Sequence, residues 1–336
     1  KRVKTMKNGL IGLDSFFFSQ MFVQSLRSIP GAVLVGCTTN GIDEEEIRKN
    51  NGLTSQEFSA KFQLPVYGSM EELAEREQPD AVVITTRPSA MPPLLKQAVD
   101  RGLHAYVAKP VAVLEEHIPL LKGLQQGDSI ISAGPTARFD PAIRQARDRV
   151  VRNEIGNITA IRVMHQHGML KFWPKESWYY DVREGGIEYF LAWYCIDLIH
   201  WFTGQQIVAA EGFAANTVDK DSPHADVLKA ACRLSAGAVA SLDVLFNVSW
   251  PYPSYEIEAI GTNGAIRIQQ DQFDGALFTQ QGKTSFGRAG VDTLTEELRD
   301  WVMACRGEAQ TSMRLEDIVR VAEASALLAR NLKVSR

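Results

Sequence analysis

Over its first 133 residues the chain alternates short apolar runs with helix-length stretches, and nothing else in the sequence restricts the fold as much. The runs are residues 9–11, 32–37, 81–85, 104–107 and 130–133. Between them, residues 16–26, 69–77, 91–101 and 113–123 are each long enough for a helix covering one face of a sheet. Right-handed crossovers between such units build a parallel sheet wound on both sides, so an α/β domain is expected over residues 1–133.

From about Asp140 the pattern changes. One helix to Asn153 is followed by a strand at 158–163, a long helix within 186–202, and strands at 208–214, 227–234, 239–246, 255–260 and 265–268. Turn signals such as Ser235-Ala236-Gly237 and Thr262-Asn263-Gly264 separate these strands, which predicts consecutive hairpins and two closing helices at 294–306 and 315–332. An α+β domain with an open, mostly antiparallel sheet is therefore expected over residues 134–336.

With 336 residues, 45% of them hydrophobic and 23% charged, the chain has material for two separate cores. Its net charge is −4, and Lys and Arg are spread along it, which argues against nucleic acid or an acidic membrane as partner and leaves a small molecule as the default. Cys37, Cys195, Cys232 and Cys305 form no C-x-x-C pair, so neither a zinc site nor a disulfide framework is expected and a reducing cytosol fits. His165 and His167 flank Gln166 without a third ligand placed by spacing, so no metal site is expected. No apolar run approaches the roughly 20 residues that span a bilayer, and a cytoplasmic location is expected.

The first strand and turn read Gly9-Leu10-Ile11-Gly12-Leu13-Asp14-Ser15-Phe16-Phe17, where a Rossmann-type, dinucleotide-binding domain carries G-x-G-x-x-G. Of the three motif glycines only the first, Gly12, is present; Asp14 and Phe17 occupy the other two positions, and a carboxylate there should repel phosphate. The helix start behind the turn still offers free N–H groups and Ser15 a hydroxyl, so Gly12, Leu13, Asp14 and Ser15 are the candidate pyrophosphate contacts, against a plain N-cap. Near Thr39, where a ribose-binding acid is expected, the chain has Cys37-Thr38-Thr39-Asn40. Those hydroxyls, with a cation from Arg48 or Lys49, tilt the expectation towards NADP over NAD if a cofactor binds.

Lys109 follows the strand at 104–107, at the sheet edge where open α/β proteins bind ligands, and its ammonium can orient a hydroxyl or stabilise an alkoxide. Phe190, Tyr194 and Asp197 share a face of the helix expected within 186–202; Tyr194 is a candidate proton donor, against the alternative of an aromatic core stripe. The aromatic stretch 172–180, with Trp173, Trp178, Tyr179 and Tyr180, can stack on a sugar ring or bury itself.

Taken in order, Gly9-Leu10-Ile11-Gly12-Leu13, Pro79-Asp80-Ala81-Val82-Val83-Ile84, Ala108-Lys109-Pro110, Ala137-Arg138-Phe139-Asp140-Pro141, the Gly-Gly to Asp197-Leu198 segment and Ile260-Gly261-Thr262-Asn263-Gly264 resemble the glucose-fructose oxidoreductase, inositol dehydrogenase and rhizopine-catabolism (Gfo/Idh/MocA) oxidoreductase family. The resemblance runs over essentially the whole chain. It implies a first domain that binds NAD or NADP, hydride transfer between nicotinamide and a sugar or polyol, and a homodimer or homotetramer formed through the second sheet. The family's Glu-Lys-Pro becomes Ala108-Lys109-Pro110, its Asp-x-x-x-His becomes Phe190-x-x-x-Tyr194, and its Thr-Pro becomes Thr86-Arg87. The resemblance thus makes Lys109 and Tyr194 the catalytic candidates, places Thr86 and Lys109 beside the nicotinamide, and puts Arg138, Trp178, Tyr194 and Asp197 towards substrate. Because the departures fall together on the phosphate turn, the ribose position and the catalytic pair, the alternative is a catalytically silent sugar-binding or regulatory protein that has lost its cofactor.

Overall fold

Six strands, all parallel, form the first sheet: β1 (Met6–Ile11), β2 (Ala32–Thr38), β3 (Val66–Tyr67), β4 (Ala81–Ile84), β5 (His104–Val107) and β6 (Ile131–Ala133). Their order is β3-β2-β1-β4-β5-β6, so the chain reverses its direction of travel between β1 and β4. β4 is buried at every position, as a strand covered on both faces must be. The covering helices are α1 (Phe18–Ser28), α2 (Glu44–Asn51), α3 (Ser55–Phe62), α4 (Met70–Glu77), α5 (Met91–Asp100) and α6 (His117–Lys122). α2 and α3 are beyond the sequence expectation; both begin at side-chain caps, Asp43 accepting from the Glu46 N–H and Thr54 forming a capping box with Glu57.

The computed structural model describes residues 4–15, 18–125, 127–134, 136–167, 175–218, 220, 222–247, 255–269, 274–287 and 291–335. Phe16, Phe17 and Trp173, named in the motifs above, and Phe172, the first residue of the aromatic stretch, lie outside them.

A second sheet has nine strands in the order β14-β13-β12-β11-β7-β10-β9-β8-β15. After α7 (Pro141–Val151) come β7 (Ile158–Gln166), α8 (Ile187–Phe190), α9 (Ala192–Thr203), β8 (Ile207–Ala215), β9 (Val227–Leu234), β10 (Val239–Leu245), β11 (Tyr255–Gly261), β12 (Gly264–Gln269), β13 (Asp274–Thr279) and β14 (Gly282–Gly287). Only β10 with β7 and β15 (Leu332–Ser335) with β8 pair parallel; the other ladders are antiparallel. β9 alternates buried and exposed residues along its length, the period of a sheet with one covered face. α9, apolar around most of its circumference, packs on β7 and β10, while α7 packs on β12, β13 and β14 and α8 on β9. The single helix expected within 186–202 is two, interrupted at Leu191 (φ −97°, ψ −32°), so Phe190 belongs to one and Tyr194 and Asp197 to the next.

The chain closes with α10 (Thr293–Cys305) and α11 (Leu315–Arg330). It divides into two compact units, one of Lys1–Gly134, Trp173–Glu184 and Leu294–Val319, the other of Pro135–Phe172, Gly185–Thr293 and Arg320–Arg336. The return of α10 completes the first unit's core: Leu298, Trp301 and Val302 join Leu10, Phe22, Val83 and Tyr106. Tyr106 stands between Phe22 and Trp301, with ring centroids 5.5 and 5.8 Å away.

Candidate active site

The strand order reverses between β1 and β4, and the carboxyl ends of strands beside such a reversal are where doubly wound sheets hold ligands. Gly12 turns the chain out of β1 with φ +97°, and a Cβ on it would lie 2.6 Å from Cβ of Thr86. Glycine is therefore required by the contact between the two loops. Thr85 fastens them, its N–H donating to the Ile11 carbonyl (2.8 Å) and its hydroxyl to the Gly12 carbonyl (2.9 Å).

Asp14 is fully buried, and its carboxylate faces inward, accepting from the Thr86 hydroxyl at 2.6 Å and from Arg87 Nε at 2.9 Å. Burial pushes its pKa up, with the Thr86 and Arg87 bonds opposing the rise. Arg87 reaches on to Glu46 at 3.0 Å. The Leu13 carbonyl accepts from Asn51 (2.7 Å), and the Ser15 and Ser19 hydroxyls lie 3.3 Å apart. Trp178, expected as a stacking surface for substrate, is buried, and its indole N–H donates to the Asp14 carbonyl at 2.6 Å. Its ring lies against the turn because that N–H needs a partner once it leaves water. Six residues further on, Glu184 accepts from the N–H and hydroxyl of Ser89, at 2.9 and 2.7 Å.

Thr39 is half-buried at the end of β2, its N–H donating to the Tyr67 carbonyl at 3.0 Å. Each cation considered for a 2'-phosphate faces a carboxylate: Arg48 pairs with Glu57 at 2.7 Å and Lys49 with Glu46 at 3.1 Å.

Lys109 leaves the end of β5 on a cis Lys109–Pro110 peptide bond. The protein packed around its ammonium lowers its pKa to about 7, and the Glu297 carboxylate opposes the drop. Glu297 comes from α10, is 3% exposed, and accepts a hydrogen bond from the Tyr106 hydroxyl at 2.8 Å. Neither Glu297 nor Tyr106 stands out in the sequence. The one available signal is that Glu297 lies one helical turn before the core residue Trp301, an acid on an apolar stripe.

In the second unit Asp197 and Arg138, both expected near substrate, form a buried pair: Arg138 Nε donates to Asp197 at 2.8 Å, and the two residues are 3% and 0% exposed. Their charges answer each other, as burial requires. Tyr194 is half-buried on α9, its ring edge-on to His165 at 4.8 Å, and His165 stacks on Tyr255 at 4.2 Å. Phe190 is buried. Among the described residues no cluster of three or more His, Cys, Asp or Glu side chains is suited to a metal ion, and no helix is long and apolar enough to cross a membrane.

The turn after β1 fits a dinucleotide in one decisive respect: the charge that would repel phosphate is turned inward and matched by Arg87. Comparison with known proteins agrees. Residues 6–132 match the model of the oxidoreductase family with an NAD-binding Rossmann fold, and residues 143–267 match that of the GFO/IDH/MocA C-terminal domain. With both halves matched in order, the chain belongs to the Gfo/Idh/MocA oxidoreductase family. It is 26% identical to scyllo-inositol 2-dehydrogenase (NAD(+)) of Bacillus subtilis (strain 168) over 249 residues, 72% of this chain and 68% of that one. Its fold is shared with myo-inositol 2-dehydrogenase from Lactobacillus plantarum (TM-score 0.79, 21% identity, covering 98% of this chain and 97% of that one). It is shared too with an oxidoreductase from Agrobacterium radiobacter solved with NAD+, L-tartaric acid and magnesium (TM-score 0.81, 16% identity, 98% and 96% covered).

Proposed function

We propose that this chain is a nicotinamide-dependent oxidoreductase that interconverts a hydroxyl and a carbonyl on a sugar, polyol or related small molecule. The observation that carries the reading is the place of Lys109 just beyond the carboxyl end of β5. Burial pulls its pKa down to about 7, which suits an amine that holds or releases a proton at neutral pH. Gly12, Leu13, Ser15, Thr39 and Thr86 are the residues assigned to hold the dinucleotide along the strand ends, with Asp14 bracing the turn from within. The ion-paired state of Arg48 and Lys49, beside the acidic first turn of α2, favours NAD over NADP. When bound, the nicotinamide supplies hydride transfer to or from the reacting carbon.

Lys109 donates a hydrogen bond to the substrate oxygen and stabilises negative charge as it develops there. Tyr194 is the group we assign to exchange the hydroxyl proton. The buried Arg138–Asp197 pair ties α9, the helix that carries Tyr194, to the segment before α7. The second sheet leaves Phe213, Val239 and Ile260 exposed on its uncovered face, which supports a homodimer or homotetramer formed there.

The test is a panel of inositols, aldoses and linear polyols offered with NAD or NADP while the absorbance of the reduced nicotinamide is followed. Turnover of one class, lost in Lys109→Met, is the expected result. Absence of turnover across the panel in both directions, with cofactor bound, would remove the dehydrogenase reading.

A further inference from the structure

Glu297 poses a problem that the proposed reaction leaves unanswered. A carboxylate at 3% exposure inside the first unit is costly unless other groups compensate it, and an apolar side chain would serve α10 better. Two groups stand within its reach. The Tyr106 hydroxyl, projecting from β5, donates to Oε1 at 2.8 Å. The second group is Lys109: a Cβ built on Gly134 would lie 3.3 Å from Glu297 Oε1 and 3.3 Å from Lys109 Cγ, so the carboxylate and the lysine stem flank one point. Glycine at 134 leaves that gap open.

We infer that Glu297, anchored by the Tyr106 hydroxyl, is the positioning residue of Lys109 and fixes its ammonium at the carboxyl edge of the parallel sheet. Three elements meet at the lysine: α10 brings the carboxylate, β5 the tyrosine that holds it, and the end of β6 the uncharged Gly134. The chain thereby supplies, from nearly 190 residues away, an acid to a lysine whose own neighbour in sequence is Ala108. Electrostatics agree with the geometry, since burial drives the Lys109 ammonium towards its neutral form and Glu297 restrains it. Glu297 touches no reacting atom in this account. It acts through Lys109, and its catalytic meaning rests on the role proposed for that residue.

The experiment is a pH titration of the protein carrying 13C-labelled lysine, following the Lys109 side-chain carbon by NMR, with the signal assigned through Lys109→Arg. Glu297→Gln keeps an acceptor for Tyr106 and removes the charge, so the Lys109 midpoint should fall by about one pH unit or more. Glu297→Asp, which withdraws the carboxylate without deleting it, should give a smaller fall in the same direction, and it decides the matter if the glutamine variant does not fold. A midpoint unchanged in the variant that folds overturns the inference. The titration needs no turnover: if the midpoint moves while the pH–rate profile stays where it was, Glu297 positions Lys109 but Lys109 is not the group that sets the rate.

Discussion

Replacing Arg87 by alanine should expose how the unusual turn after β1 is held. The perturbation strips a carboxylate that is 0% exposed of the guanidinium paired with it while the Thr86 hydroxyl, at 2.6 Å, continues to donate to it. Breaking a buried ion pair costs about 3–5 kcal/mol, but the Arg87 side chain is 28% exposed, so about 2–3 kcal/mol is expected here. For a domain of this size that is a fall in Tm of about 5–10 °C. The pH dependence carries the sharper test. Asp14 has a folded pKa above its ordinary 3.8 because burial dominates, so its ionised form opposes folding, and stability contributed by this group falls as pH rises from 3.8 through the folded value. Loss of Arg87 raises that folded value further. The cost of Arg87→Ala should therefore be full at neutral pH and shrink as acid protonates Asp14. In an Asp14→Asn background the same substitution should cost less than about 1 kcal/mol, leaving a coupling of at least 1–2 kcal/mol in the cycle. Thermal unfolding of the four proteins at several pH values measures all of this; an equal cost in both backgrounds, or a cost independent of pH, refutes the account of the turn.

Further outcomes follow from the same geometry. Lys109→Met should abolish turnover and yet stabilise the fold by about 1–3 kcal/mol at and below neutral pH. Since the folded pKa of about 7 lies below the ordinary 10.5, that gain should be full below pH 7 and disappear as pH rises to 10.5, which urea unfolding against pH can follow. Tyr194→Phe should lower the maximal rate by about 100- to 10,000-fold with little change in dinucleotide affinity, as measured by steady-state kinetics beside a binding titration. Asp197→Ala should cost about 3–5 kcal/mol by taking the carboxylate away from the buried Arg138 guanidinium, whereas the joint replacement Arg138→Met with Asp197→Leu should cost far less in the same unfolding assay.

Much of the first unit is legible in the sequence because its strands are buried on both faces and read as apolar runs: β4 and β5 fall inside the ranges expected for them. β3, two residues long, and the polar helix α2, Glu44–Asn51, carry too little apolar pattern to be seen. In the second unit β9 and β10 announce themselves by alternation, while β13 and β14 escape because Gly275, Gly282 and Gly287 dilute the pattern. The final helix stops at Arg330, and Leu332–Ser335, in part assigned to it by pattern, instead adds a strand beside β8, a partner more than a hundred residues away.

The site divides in the same way. Gly12 and Lys109 are visible because a strand end fixes where each one lies. Asp14 is visible too, but as an obstacle, since the direction of its carboxylate is set by Thr86 and Arg87, some 72 residues further along. Arg87 stands in the sequence only as a departure from Thr-Pro; its partner appears when β1 and β4 come side by side. Trp178, Arg138 and Asp197 carry side chains suited to a sugar, and the structure gives each of them an internal partner that spacing along the chain does not reveal.

The most direct test of the central claim is a titration of purified, dinucleotide-stripped protein with NADH and with NADPH, following nicotinamide fluorescence and energy transfer from tryptophan. Trp178, hydrogen-bonded to the Asp14 carbonyl at 2.6 Å, is placed to report on that turn. Micromolar binding of NADH, tighter than that of NADPH and retained in Lys109→Met, is the predicted result. No binding of either at millimolar concentration would contradict it and return the chain to the cofactor-free, sugar-binding alternative.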